Sequence, residues 1–332
     1  MNAEAVVQTV TGPRRAAELG RVLMHEHVVT RSPGLREDYP GTFPRSEVIA
    51  TCCDGLAALK AAGIDAVVDH TPYDLGRDVE LLAEVSARSG VAIVAATGVW
   101  IEPQRFWQMR SAVESSELLI GDLERGIAGT DIRAGVIKCA VDRAGVTPAV
   151  ERVLRACAIA HRTTGAHLST HTIATDRGGL EQQRIFRSEG VRLDRVVIGH
   201  CGDTTDLGYL RELLAAGSYL GLDRFGVEDL LPDEERMDVA ATLCREGFAD
   251  RLLLSQDASF WNDRMPMEAV HRIRPNWHHR NVTENIVPGL YDRGVSGDQI
   301  DTMLIGNPCS VFANTAPYPG PPSRAAETAA WD

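Results

Sequence analysis

Short apolar runs recur along the chain, each ending in polar or glycine residues and each followed by a stretch of helical periodicity. The runs are RVLMHEH (21–27), AVVDHT (66–71), VAIVAATG (91–98), RAGVIKCA (133–140), AHLSTHT (166–172), RVVIGHCG (195–202), YLGLDRF (219–225) and RLLLSQDA (251–258). Their near-continuous apolar character predicts parallel strands buried on both faces. Between them, SEVIATCCDGLAALKAAG, RDVELLAEVSARSG and TPAVERVLRACAIAHRTTG place apolar residues at helical spacing and end at glycine, the usual residue just past a helix terminus. Eight such units in 332 residues predict an α/β fold, a closed (β/α)8 TIM barrel. A doubly wound sheet would carry a glycine-rich turn after its first strand, where this chain has His-Glu-His. Residues 1–313 read as one domain, and the Pro/Ala-rich stretch 314–332 as a loose tail.

The polar residues of these strands gather at their C-terminal ends. His25 and His27 close the first, Lys138 stands in the fourth, His171 in the fifth, His200 in the sixth and Asp257 in the eighth. In a barrel those ends converge on one rim, where barrel enzymes do their chemistry. Singly, each has a plainer reading: a hydrogen-bonded core histidine, or an aspartate capping a loop. The shared location favours a metal centre, because plain packing does not explain it. His25-x-His27 puts two imidazoles on one side of a strand, as two ligands of one ion require. Four imidazoles and a carboxylate suit zinc, cobalt, manganese or iron, and five ligands suggest two ions.

Lys138 is the puzzle. Lys60 and Lys138 are the only lysines among 34 lysines and arginines, yet Lys138 sits in an apolar strand. An unpaired ammonium is costly to bury. Carbamylated by carbon dioxide, it becomes a carboxylate able to bridge two cations; the alternatives are a snorkelling lysine or one paired with a buried acid.

Composition narrows the classes. A net charge of −12 and a pI near 5.3 argue against nucleic-acid binding, since neutralising phosphates takes clustered cations. Seven scattered cysteines without a C-x-x-C pair suit a reducing compartment. No run approaches the roughly 18 apolar residues of a membrane span, and no signal peptide is expected, so the expected setting is cytoplasmic.

The series LMHEHV, GVIKCA, STHT, VIGHCGD, GLDRFG and LLLSQDA resembles the phosphotriesterase family of the amidohydrolase superfamily, from about residue 5 to 315. That resemblance implies a barrel with two divalent metal ions, zinc foremost, bridged by carbamylated Lys138 and a hydroxide. His25, His27 and Asp257 would bind the buried ion, and His171 and His200 the exposed one. It also implies a homodimer. STHTIATDRGGLEQQRIF and GSYLGLDRFG, with a short segment between Arg224 and Asp257, are similar to the phosphotriesterase-like lactonases. These open N-acyl homoserine lactones, a quorum-quenching activity, with promiscuous organophosphate hydrolysis. Trp100 departs toward the organophosphate hydrolases, and Gln256 stands where lactonases often have histidine.

The expected mechanism is attack by the bridging hydroxide on the lactone carbonyl, with Asp257 taking the proton and passing it to the leaving alkoxide. Asp203 and Arg224 would relay the proton outward or form a structural ion pair. Trp100 would wall the pocket or pack in the core; Arg224, Phe225, Leu230, Phe260 and Trp261 would contact substrate. His271, His278 and His279 are expected at the surface, and Cys201 as a packing residue. The rivals are a phosphotriesterase proper and a non-catalytic metal-binding barrel.

Overall fold

The structure, a computed structural model, describes residues 5–313 and 315–320. An antiparallel hairpin, β1 (Val6–Thr9) and β2 (Gly12–Arg15), precedes the barrel strands. These are β3 (Val22–Thr30), β4 (Ala66–Asp69), β5 (Ala92–Gly98), β6 (Val136–Ala140), β7 (His167–His171), β8 (Val196–Ile198), β9 (Tyr219–Leu222) and β10 (Leu252–Leu254). They pair in parallel in chain order, and β11 (Ser259–Asn262) lies parallel on the far side of β3. The fold is the expected α/β TIM barrel.

The eighth stave is made of two pieces. β10 pairs with β9 and β11 with β3, leaving residues 255–258 between them. Across this break the Asp257 N–H donates to the His25 carbonyl (3.1 Å) and the His27 N–H to the Ala258 carbonyl (2.9 Å), which closes the ring. The run 251–258 is therefore not one strand. Its last residues bend into the rim because the Gln256 and Ala258 N–H groups donate to Glu26, at 2.8 and 3.0 Å, rather than to a strand.

Two apolar layers hold the barrel. Val22, Met24, Ala66, Val68, Val94, Val136 and Leu253 fill its interior, and the base is plugged by Val7, Leu19, Val311 and Phe312. The outward residues of the same strands pack under the helices, as period-two alternation requires. Local signals set the helix ends. Thr147 caps helix Pro148–Thr164 by accepting from Val150 N, Pro148 fits its first turn, and Gly165 ends it at φ +76°. Ser111 and Glu114 form a capping box on helix Ala112–Glu124.

Residues 315–320 depart from the loose-tail expectation. Tyr318 N donates to Arg162 O (3.0 Å), its hydroxyl accepts from Arg192 N (3.0 Å) and lies 2.7 Å from His161 Nε2, and Arg195 donates to Ala316 O (2.6 Å). The tyrosine supplies what a composition of prolines and alanines hides: a ring to pack and a hydroxyl to bond. Residues 314 and 321–332 lie outside the described residues. Among the described residues, no helix is long and apolar enough to cross a membrane.

Candidate metal centre

A bulge in β3 aims the first two histidines. Leu23 pairs with Val67 but Glu26 with Asp69, so β3 carries one extra residue at this point. Val22 and Met24 face the barrel interior; beyond the bulge the odd positions His25 and His27 face it instead. A one-residue slip inverts every side chain that follows, and bulges often serve this purpose beside active sites. Glu26 is thereby turned toward the broken eighth stave, where it holds the segment carrying Asp257.

Lys138 follows Val136 on the inner face of β6 and is 1% exposed. Gly98 makes room beside it: at φ +133°, a Cβ there would fall 1.8 Å from the Lys138 carbonyl oxygen. Lys138 Nζ lies 2.9 Å from His25 Nε2. Burial pushes its ammonium down to about 8, against the opposing pull of Asp257 and Asp223.

His200 and Asp257 lie beyond the ends of β8 and β10, both in left-handed conformation (φ +60° and +56°). Such backbone is strained for residues with a Cβ, and tends to persist where surrounding bonds demand it. Those bonds are visible. Asp223 accepts from His200 N (2.7 Å) and lies 2.9 Å from His200 Nδ1 and 2.7 Å from His25 Nδ1. One carboxylate thus orients two imidazoles. Burial alone would raise its pKa, but His200 and His25 outweigh that and hold it well below the usual range.

With Nδ1 donating to Asp223, the Nε2 atoms of His25 and His200 keep their lone pairs toward the centre. His200 Nε2 faces His171 Nδ1 at 2.9 Å, and His27 Nε2 faces Asp257 Oδ1 at 3.1 Å. His25, His27 and Asp257 offer ligand atoms all within 4.8 Å of one another. Burial pushes His171 down to about 4 and also lowers His25 and His200, so these rings stay neutral, the ligating form. Burial would raise Asp257, yet His200, His27, His25 and Arg224 keep it ionised. Neutral nitrogens and a hard carboxylate converging on one buried spot fit divalent metal, and all six sequence-derived ligand candidates are brought together here.

Asp203 and Arg224 form the ion pair that was the alternative to a proton relay. Arg224 donates to Asp257 Oδ2 and to Asp203 Oδ2, both at 3.0 Å, while Asp203 Oδ1 accepts from Arg236 (2.5 Å). Burial would lower the guanidinium pKa, but the two carboxylates hold it above its ordinary value. Such a group cannot give up a proton. Arg224 orients and stabilises the Asp257 carboxylate, and Asp203 anchors Arg224.

The cavity above the centre measures about 270 Å³. Trp100, Arg224 and Leu230 line it, as do Leu75, Ile101, Val227, Ser259, Arg264, Arg274 and Trp277. Trp100 is fixed by its backbone N–H, which donates to Asp74 (2.9 Å). A second, more apolar chamber of about 290 Å³ shares Ser259, Arg264, Arg274 and Trp277 and continues over Met265, Met267, Val270 and Ile273.

Phe225, Phe260 and Trp261 are not on these walls, which corrects the expected substrate contacts. Phe225, in the turn that follows β9, is buried in the core. Phe260 stacks on His279 (centroids 3.7 Å apart) and packs against helix Arg45–Ala61 at Gly55. Trp261 meets Phe43 edge-on. His279, expected at the surface, is buried, with Nε2 3.0 Å from the His27 carbonyl. Cys201 is a buried packing residue whose thiol pKa is raised well above normal by burial.

Sequence reasoning missed Asp223 and Glu26. Both were in view, Asp223 beside Arg224 in GLDRFG and Glu26 within HEH, and a carboxylate at a strand end beside candidate ligands was the usable signal.

The phosphotriesterase family model matches residues 5–312. The "Phosphotriesterase homology protein" of Mycobacterium tuberculosis is 44% identical over 94% of this chain and 99% of its own length. The "Aryldialkylphosphatase" of Saccharolobus solfataricus is 33% identical over 89% and 96%. The solved structure of the phosphotriesterase from Mycobacterium tuberculosis superposes with a TM-score of 0.91 at 44% identity, covering 94% of this chain and all of that one. The bulged His-x-His strand, the inward lysine and the histidines and aspartate around it are therefore carried by a chain that belongs to the phosphotriesterase family.

Proposed function

We propose that the protein is a binuclear metal-dependent hydrolase that opens lactones, N-acyl homoserine lactones foremost, with organophosphate triesters as secondary substrates. The observation that carries this reading is the layout of the cavity: an inner chamber of mixed lining facing the metal candidates, and one more apolar chamber that shares Ser259, Arg264, Arg274 and Trp277 with it. A lactone presents one flat ester and one flexible tail, and needs one such slot. A triester has three substituents and needs three separate pockets.

His25, His27 and Asp257 would hold one ion, His171 and His200 the other, with Lys138 as the bridge. Zinc is the first choice, and cobalt, manganese and iron the others. When bound, such ions supply Lewis acidity and a water acidic enough to attack near neutral pH. Lys138 is suited to carbamylation because its lowered pKa makes the neutral amine accessible. Its nitrogen bonds to the carbon of carbon dioxide and releases a proton, leaving an anionic carbamate. Asp257, ionised and clamped by Arg224, accepts the proton of the attacking water and returns it to the leaving alkoxide. Trp100 and Leu230 confine the ring; Met265, Met267, Val270 and Ile273 receive the tail. A cytoplasmic homodimer completes the proposal.

The rival reading, phosphotriester hydrolysis proper, draws on the aryldialkylphosphatase relative. Metal-reconstituted protein assayed on acyl homoserine lactones, other aliphatic lactones and paraoxon separates the two. The expected kcat/KM for the best lactone is at least about 10-fold above paraoxon, roughly 1.4 kcal/mol in transition-state binding. A reversal by the same margin replaces this reading with its rival.

A further inference from the structure

The cavity holds a charge that the hydrolytic chemistry leaves unused. Of the three arginines on its wall, Arg224 is shared by Asp257 and Asp203, and Arg274 is gripped by both Asp229 oxygens at 2.6 and 2.7 Å. Among the described residues, Arg264 has no carboxylate partner. Its Nη2 reaches only Thr30 Oγ1, at 3.5 Å, the outer limit of a hydrogen bond.

Its guanidinium lies over the Trp100 ring, 5.4 Å from the centroid. A cation held over an aromatic ring keeps its charge, and a guanidinium grips oxyanions in a planar fork. Arg264 is an exposed residue that, with Ser259, Arg274 and Trp277, lines both the inner chamber and the apolar one. The protein as a whole carries −12, which disfavours an approaching anion. That field is screened beyond roughly 8 Å at physiological salt, so a local cation decides the matter.

We propose that Arg264 is a specificity-determining residue that selects substrates bearing an anionic oxygen group, carboxylate or phosphate, on the tail side of the scissile ester. This rests on the hydrolase reading and, among the lactones that reading admits, ranks those with an anionic group above the neutral N-acyl homoserine lactones. The ester faces the metal candidates, the anionic group meets Arg264, and the remaining apolar part fills the second chamber.

The test measures binding first, so that it does not depend on turnover. Lactams, which imitate lactones but resist hydrolysis, are prepared with a tail ending in carboxylate, in phosphate or in a neutral amide. Calorimetry on the metal-loaded wild type, Arg264→Gln and Arg264→Lys then gives the anionic-to-neutral preference of each. The expected preference is at least about 10-fold in wild type for one or both anions, lost in Arg264→Gln and partly kept in Arg264→Lys. The stronger of the two anionic arms identifies which oxyanion the site takes. Equal affinity of wild type for charged and neutral tails overturns the proposal, as does a preference that survives in Arg264→Gln. Failure of wild type to hydrolyse any lactone in a parallel assay would instead overturn the lactonase reading, leaving the binding result to stand on its own.

Discussion

Lys138 shows what a single residue can ask of its surroundings. The strand that carries it is apolar, the residue is 1% exposed, and its neighbours are a histidine nitrogen at 2.9 Å and two more distant carboxylates. A lysine kept only for charge would pair directly or snorkel; this one points at the convergence of imidazoles. Lys138→Ala is expected to lose most bound metal and most activity, and short carboxylic acids to restore part of both by standing in for a carbamate. Metal analysis and kinetics on the variant check this, and full metal content with an unchanged rate would remove the carbamate from the account. The six ligand candidates were legible from sequence because each has unusual chemistry for an apolar strand. Their supports were not. Asp223 and Glu26 are ordinary acids until folding brings Asp223 against two Nδ1 atoms and Glu26 against two backbone N–H groups.

At the scale of elements, the eight strands and their helices follow from apolar periodicity, whereas the irregularities that make the site do not. The bulge in β3 and the break between β10 and β11 depend on what the neighbouring stave offers, which no local pattern encodes. Both meet at Glu26: the bulge turns it toward the eighth stave, and its two oxygens hold residues 256 and 258 on either side of Asp257. Glu26→Gln keeps the shape but replaces one acceptor oxygen with an NH₂ facing another donor. The expected loss is about 1–3 kcal/mol of stability, the cost of leaving a buried donor unsatisfied. Urea unfolding measures it, and a midpoint equal to wild type would show that the segment holds itself.

For the whole molecule, the buried histidines tie stability to pH. His167 lies deep in the barrel, and burial, with a smaller contribution from His161, pushes it down to about 3. The unfolded chain takes up its proton near 6.5, the native state only near 3, so the stabilising contribution is complete above 6.5 and lost as pH falls toward 3. His167→Gln lacks this group. The stability gap between wild type and variant is expected to shift against wild type on acidification, by at most about 1.4 kcal/mol per pH unit between those limits. Thermal unfolding of both proteins from pH 7 to 4 checks it, and parallel curves would mean that His167 titrates normally.

The sequence by itself determined the barrel, the rim on which chemistry gathers and the identities of the metal candidates. These follow from residue type and period, both local properties. Only the tertiary structure showed that Arg224 is held between Asp257 and Asp203, that Phe225, Phe260 and Trp261 pack with the core, and that Arg264 lines both chambers without a carboxylate partner among the described residues. Each of these depends on which distant side chain arrives beside it, and a partner some 20 to 250 positions away leaves no trace in the local pattern.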